Sequence, residues 1–238
     1  MTTYLIEFRF QSKKAKDYLK GMVYEINRTF RVSRKKHVPH ITLVGPITTH
    51  NEKRLISDFS RICSETKLMK FKVNGFGTFD NNKIVFVNID ASDRLNEFRV
   101  NLLNTLRFYC NLPQTSKRTD KDKFGYHTTL AMHLDQREFD SIKKYIASKS
   151  EPDFSQVILR ITLLKKGKIL REYDFMQRRL FNRRLALNRY VFRNSLNLLK
   201  RFFEGTYDPN RDVKTDKEMS IKEPVFIRIW KKLKEIFK

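Results

Sequence analysis

Two stretches of the chain follow one plan. Residues 39–46 read Pro-His-Ile-Thr-Leu-Val-Gly-Pro, and residues 125–130 read Gly-Tyr-His-Thr-Thr-Leu. Each is preceded by a basic loop, opens with His-Xaa-Thr on a short apolar strand and is followed by a helical pattern. Side chains two apart on a strand point to the same face, so His40 with Thr42, and His127 with Thr129, each set an imidazole beside a hydroxyl. A duplicated unit of this kind directs the chain to an α+β fold with two similar halves, each supplying one copy.

The rest of the pattern agrees. Tyr4, Ile6, Phe8 and Phe10 alternate with Glu7 and Arg9 as a first strand. Ala15, Tyr18, Leu19, Met22, Val23 and Ile26 recur at helical spacing. Residues 40–44 read as a strand stopped by Gly45-Pro46, followed by a helix over about 51–66. Residues 71–73 and 84–87 read as strands joined through Gly75-Phe76-Gly77 and the turn at 80–82. Asp93 is the expected cap of a third helix. A polar, basic loop over 113–124 leads to a strand at 126–132 and a helix over about 135–148. Residues 157–164 and 169–175 are expected to pair as one hairpin across Lys165-Lys166-Gly167-Lys168.

The character changes near residue 178. Arg178, Arg179, Arg183, Arg184, Arg189, Arg193, Lys200 and Arg201 occur with no acidic residue before Glu204. The expected organisation is a domain over 1–178, a basic helix over 179–204 with Phe181, Leu185, Phe192, Leu196, Leu199 and Phe203 as its apolar stripe, a linker over 205–222, and an amphipathic terminal helix over 223–238 carrying Trp230. That last helix suits weak contact with an anionic membrane surface, self-association, or docking onto the domain itself.

Fifty Lys and Arg against 26 Asp and Glu give a formal charge of +24. A field of this size recruits polyanions: RNA, DNA and anionic membranes all qualify, and so does a merely solvated basic surface. Lys36, Lys117, Arg118 and Lys123, in the two loops before the motifs, are the candidates for RNA contact. Cys63 and Cys110 fall in predicted helices beside apolar residues, without the spacing of a metal cluster or a need for a disulfide. Residues 1–8 lack the basic and apolar segments of a signal peptide, and no apolar run approaches a membrane span. A cytoplasmic location is expected.

An imidazole titrates near neutral pH, so two of them can hold opposite protonation states. One activates a water while the other protonates a leaving oxygen. Two threonine hydroxyls can donate to phosphate oxygens, and nearby cations offset the charge that grows on them. Neither a metal nor another cofactor is required. Read alone, the same residues are also compatible with half-buried strand histidines and ordinary β-branched strand residues. Tyr126 is expected on the opposite strand face, in the core. His37, His50 and His133 are assigned no part in the chemistry.

Both extended motifs in order, the opening Tyr4-Leu5-Ile6-Glu7-Phe8 and the closing Arg160-Ile161-Thr162-Leu163-Leu164 resemble the two-histidine (2H) phosphoesterase superfamily. Within it they are most similar to the group of RNA 2′,3′-cyclic phosphodiesterases, also called 2′-5′ RNA ligases. The resemblance spans roughly residues 1–178. It implies a bilobal fold of two antiparallel sheets facing a central cleft, with helices outside. It implies His40 and His127 as the acid–base pair, Thr42 and Thr129 as phosphate holders, and RNA ends or cyclic nucleotides as partners. Hydrolysis of a 2′,3′-cyclic phosphate to a 2′-phosphate is the leading reading. A 2′-5′ ligase or phosphodiesterase, or an RNA-binding module without catalysis, remain the alternatives. There is no Gly-rich phosphate loop of the GxxxxGK[ST] kind.

Overall fold

A computed structural model describes residues 2–32, 38–113 and 124–213. The alternation in the first residues does form a strand, β1 (Thr3–Arg9), with Tyr4, Ile6 and Phe8 buried on one face. Ser12 then caps α1 (Lys13–Phe30) by accepting from the Ala15 amide, and α1 buries Ala15, Leu19, Met22, Val23 and Ile26. β2 (His40–Thr48), α2 (Glu52–Glu65), β3 (Met69–Phe79), β4 (Ile84–Ala91) and α3 (Asp93–Leu106) follow. The second half contains β5 (His127–Ala131), α4 (Gln136–Ala147), β6 (Asp153–Ile158), β7 (Arg160–Lys165), β8 (Lys168–Asp174) and β9 (Arg179–Asn182). Three helices close the described chain: α5 (Arg183–Ala186), α6 (Arg189–Phe203) and α7 (Pro209–Asp212).

The strands form two antiparallel sheets, as the α+β, bilobal reading requires. One runs β2-β1-β7-β8-β9 and the other β5-β4-β3-β6. The two motif strands, β2 and β5, are the edge strands of their respective sheets. One hydrophobic cluster joins the two sheets to α1–α4, and a smaller one of Leu159, Met176 and Leu198 lies under α6; within the first the Phe71 ring of β3 lies 5.1 Å from Phe8 and 5.7 Å from Phe10.

Several local expectations are corrected. β2 does not stop at Gly45-Pro46 but continues to Thr48, with a register irregularity against β1 at that point. A side chain at Gly45 would collide with Leu5 of β1, and its φ of +143° suits glycine alone. Gly75-Phe76-Gly77 is not a connection: β3 runs through it with a bulge between Val73 and Phe76. Ser92, not Asp93, caps α3. Cys63 lies in α2, but Cys110 lies beyond α3; both thiols are buried and their pKa values are raised by burial.

The hairpin expected over 157–175 forms as β7 and β8, paired over 160–174, but without its first residues. Val157 and Ile158 belong to β6 and pair with β3 in the second sheet, whereas β7 begins at Arg160 in the first. One continuous apolar run therefore crosses between sheets, which periodicity cannot reveal.

The basic helix expected from 179 is three elements. Residues 179–182 form β9, the fifth strand of the first sheet, so that sheet extends past residue 178. Phe181 is buried there rather than on a helical stripe. α6 begins only at Arg189, capped by Asn188, and turns Val191, Ser195 and Leu198 inward. Part of the expected linker is also structured: α7 is there, and Tyr207 donates to the Met176 carbonyl at 2.7 Å. The terminal helix proposed over 223–238, with its membrane and self-association roles, lies outside the described residues.

α6 is held by a buried polar network. Arg160 donates to Asp174 (2.6 Å), Glu172 (3.0 Å) and Ser195 (2.8 Å), while Asp174 also accepts from the Met176 and Gln177 amides. The guanidinium sits between the rings of Phe181 and Phe192, at 5.2 and 5.1 Å. Burying these charges is tolerable only because each has its partners. Asp174→Ala strands the Arg160 charge, and a loss of about 3–5 kcal/mol in a denaturant titration is expected.

Candidate active site

The two edge strands meet. The Thr128 hydroxyl of β5 donates to the main-chain carbonyl of His40 on β2 across 2.5 Å. Residues 88 apart in sequence are thereby tied, the first residue of one motif to the second residue of the other. Thr128, the intervening residue of the second motif, is fully buried. Its partner is backbone, so the bond depends on position rather than on the identity of residue 40.

Each imidazole is fixed in the same way. His40 Nδ1 lies 3.0 Å from the Val38 carbonyl, and His127 Nδ1 lies 2.9 Å from the Gly125 carbonyl. A carbonyl only accepts, so both contacts place the proton on Nδ1 and leave Nε2 as the basic nitrogen of the neutral ring. Both rings are partly exposed.

Their surroundings differ. His127 is flanked by Phe79 and Phe86, each ring centroid 5.0 Å away. Its pKa is lowered from 6.5, chiefly by burial and further by the charge of His40, against an opposing effect of the Gly125 bond. Beside His40 stands a carboxylate: Glu7 Oε2 is 3.7 Å from Nε2, while Glu7 Oε1 accepts from Arg9 at 2.7 Å. Glu7 is almost wholly buried. It is a counter-charge for His40 when that ring carries a second proton.

Thr42 and Thr129 are partly exposed and stand on the same strand faces as their histidines. In the cross-strand register Thr42 is opposite Glu7 and Thr129 opposite Phe86. The cleft face of the first sheet thus carries His40, Thr42, Glu7 and Arg9, and that of the second His127, Thr129, Phe86 and Asn88. Lys36, Lys117, Arg118 and Lys123 lie outside the described residues, as does His37. His50 and His133 are exposed and take no part in this arrangement. Tyr126 is buried against Phe124, on the core side as expected.

Three contributors escaped the sequence reading. Glu7 was assigned only to a strand; its signal is a carboxylate on the face that also carries Arg9. Arg99 of α3 is buried behind the site: its Nε donates to the Leu43 carbonyl of β2 at 3.0 Å, and its guanidinium lies 3.3 Å from the Phe124 ring centroid. It braces the first motif strand against the segment entering the second. Burial lowers its pKa to about 10, which leaves it charged at neutral pH. Its signal was an arginine inside the apolar stripe Leu95, Phe98, Leu102. Gly77, opposite Phe86 in the register, is the third: a Cβ there would strike the Phe86 ring that supports His127.

Among the described residues, no group of three or more His, Cys, Asp or Glu side chains is placed to hold a metal ion. No described helix is long and apolar enough to cross a membrane.

Residues 14–168, more than half of the chain, match the family model described as 2′-5′ RNA ligase superfamily. The chain belongs to that superfamily, the 2H phosphoesterases. Among solved structures, apo E. coli LigT is 12% identical, with 69% of this chain and 86% of LigT covered and a TM-score of 0.44. LigT with 3′-AMP is 14% identical, with 76% and 92% covered and a TM-score of 0.43. Kluyveromyces marxianus Usb1 is 12% identical, with 70% and 95% covered and a TM-score of 0.43. No curated protein sequence matches the chain. Superfamily membership covers both motif strands and both histidines.

Two measurements check this geometry. An NMR titration of the His127 imidazole is expected to give a midpoint below 6.5, moving up when Phe86 is replaced by Ser; a midpoint at or above 6.5 contradicts the burial described. Because the folded-state value is depressed, His127 contributes stability that is complete above the unfolded value near 6.5 and declines as pH falls toward the folded value. Thr128→Val keeps the shape but leaves the His40 carbonyl without its donor, and a loss of about 1–3 kcal/mol in denaturant unfolding is expected.

Proposed function

We propose that the chain hydrolyses 2′,3′-cyclic phosphates of RNA or nucleotides to 2′-phosphates by a metal-independent two-histidine mechanism. The observation that carries this reading is the matched anchoring of His40 and His127. Both rings hold a proton on Nδ1 through a main-chain carbonyl two residues earlier, on strands locked together by Thr128. Superfamily membership supports the reaction class.

In this reading His127 is the base. Its depressed pKa keeps the ring neutral at working pH, and its Nε2 accepts a proton from water as the water oxygen bonds to phosphorus. The P–O3′ bond breaks, and His40, carrying its second proton beside Glu7, donates it to O3′. The products are a 2′-phosphate and a 3′-hydroxyl. The next turnover requires the pair to exchange its proton with solvent. Thr42 and Thr129 donate to the non-bridging oxygens and hold the phosphorus in line between the rings. The same pair working in the same sense, with a 5′-hydroxyl in place of water, forms a 2′-5′ linkage and releases the 3′-hydroxyl, which is why one site suits ligase and hydrolase chemistry alike.

The test is turnover of a 2′,3′-cyclic-phosphate oligonucleotide in excess EDTA. Wild type is expected to release the 2′-phosphate, and His40→Ala and His127→Ala are each expected to lower kcat by about 10²–10⁴-fold, the usual contribution of a positioned acid or base. Activity surviving both substitutions contradicts the assignment. Tight RNA binding without turnover of any cyclic phosphate or 2′-5′ linkage identifies a binding module instead.

A further inference from the structure

Beside His40 lies a cavity of about 280 Å³ that the chemistry above does not use. It is bounded by Arg9 and by Val38 and Pro39, by Lys16 and Lys20 of α1, and by Arg189 and Phe192 of α6. It adjoins the candidate site without including its histidines or threonines: Arg9 is the cross-strand partner of His40, and the Val38 carbonyl holds the His40 ring. Its far wall is α6, the element anchored through Arg160 and Ser195.

The cavity carries more positive charge than its acids neutralise. Arg160 is consumed by Asp174 and Glu172, and Arg9 by Glu7. Lys16, Lys20 and Arg189 make no ion pair with any acidic side chain among the described residues. Lys16 and Lys20 stand one turn apart on α1, where like charges repel. The Lys16 pKa is lowered by burial first and by Lys20 second, against an opposing effect of Asp17, and its ammonium is held 5.3 Å from the Phe192 ring centroid. Neither α1 nor α6 has an acidic residue in its first turn. An anion in the cavity relieves the repulsion between Lys16 and Lys20. Around the charges, Val38 and Leu187 offer exposed apolar surface and Phe192 a ring face, so the lining suits a phosphate joined to a nucleoside better than a free inorganic ion.

We propose that this cavity is a subsite for the internucleotide phosphate on the 5′ side of the terminal cyclic nucleotide. Lys16, Lys20 and Arg189 recognise that phosphate, and α6 makes the protein an RNA-end enzyme rather than one for free cyclic nucleotides. The inference rests on the cyclic-phosphate reading above and adds the substrate class to it.

The experiment compares kcat/KM for a nucleoside 2′,3′-cyclic phosphate with that for a trinucleotide ending in the same cyclic nucleotide. Wild type is expected to favour the trinucleotide by about tenfold or more, the worth of one charge-assisted hydrogen bond, mainly through KM, with a preference that shrinks as salt rises. The double variant Lys20→Gln/Arg189→Gln alters only exposed side chains. It is expected to lose most of that preference while its turnover of the mononucleotide and its thermal midpoint stay unchanged. Equal kcat/KM for both substrates in wild type, or a variant that keeps the full preference, overturns this inference and leaves the cyclic-phosphate reading standing. Wild type inactive on both substrates removes that reading, and this inference with it.

Discussion

Thr128 donates its hydroxyl to the His40 carbonyl, and the edge strands of two separate sheets cannot slide past one another without breaking that bond. Everything proposed for this protein depends on that contact. A hydrogen bond of this kind contributes only about 1 kcal/mol net in a folded protein. Its importance lies in location, because it joins the first residue of one motif to the second residue of the other. Arg99 reinforces it from behind, reaching the Leu43 carbonyl and the Phe124 ring, so both motif strands are braced on the core side as well. The site is therefore built on sheet edges but restrained from two directions, as an acid–base pair needs if both rings are to address one phosphoryl group.

The two imidazoles share one anchoring scheme and occupy unlike environments. Aromatic rings flank His127 and favour its neutral form, whereas a buried carboxylate stands beside His40. A symmetric duplication has thus become chemically asymmetric through residues outside the motifs: Phe79 and Phe86 on one side, Glu7 and Arg9 on the other. The proposed division of labour between an acid and a base rests on that difference rather than on the motifs, which are alike. The charged network around Arg160 adds a second asymmetry by fixing α6 at one end of the cleft only, beside His40.

The sequence made the α+β class and the motif strands legible, because each rests on local alternation or helical spacing, whereas the two facing sheets were implied by the family resemblance. Residues 15–26 buried the face their spacing indicated. It misled where tertiary pairing overrode local pattern. The run from Val157 to Leu164 looks like one strand, yet Leu159 carries it from one sheet to the other. Residues 179–182 sit in an arginine-rich stretch that reads as helix, but an open edge at β8 recruits them as β9. In the site, the histidines and threonines were visible because they recur in a motif. Glu7, Arg99 and Gly77 were not, since each matters through a partner far away in the chain that no local spacing encodes.

The central claim is that both imidazoles address a single phosphoryl group. It is tested most directly by following the ¹⁵N resonances of His40 and His127 Nε2 while inorganic phosphate or a nucleoside 2′-phosphate is titrated in. Both signals are expected to move together along one saturation curve. Movement of one ring alone, or two curves with different midpoints, would place the histidines at separate sites and contradict it.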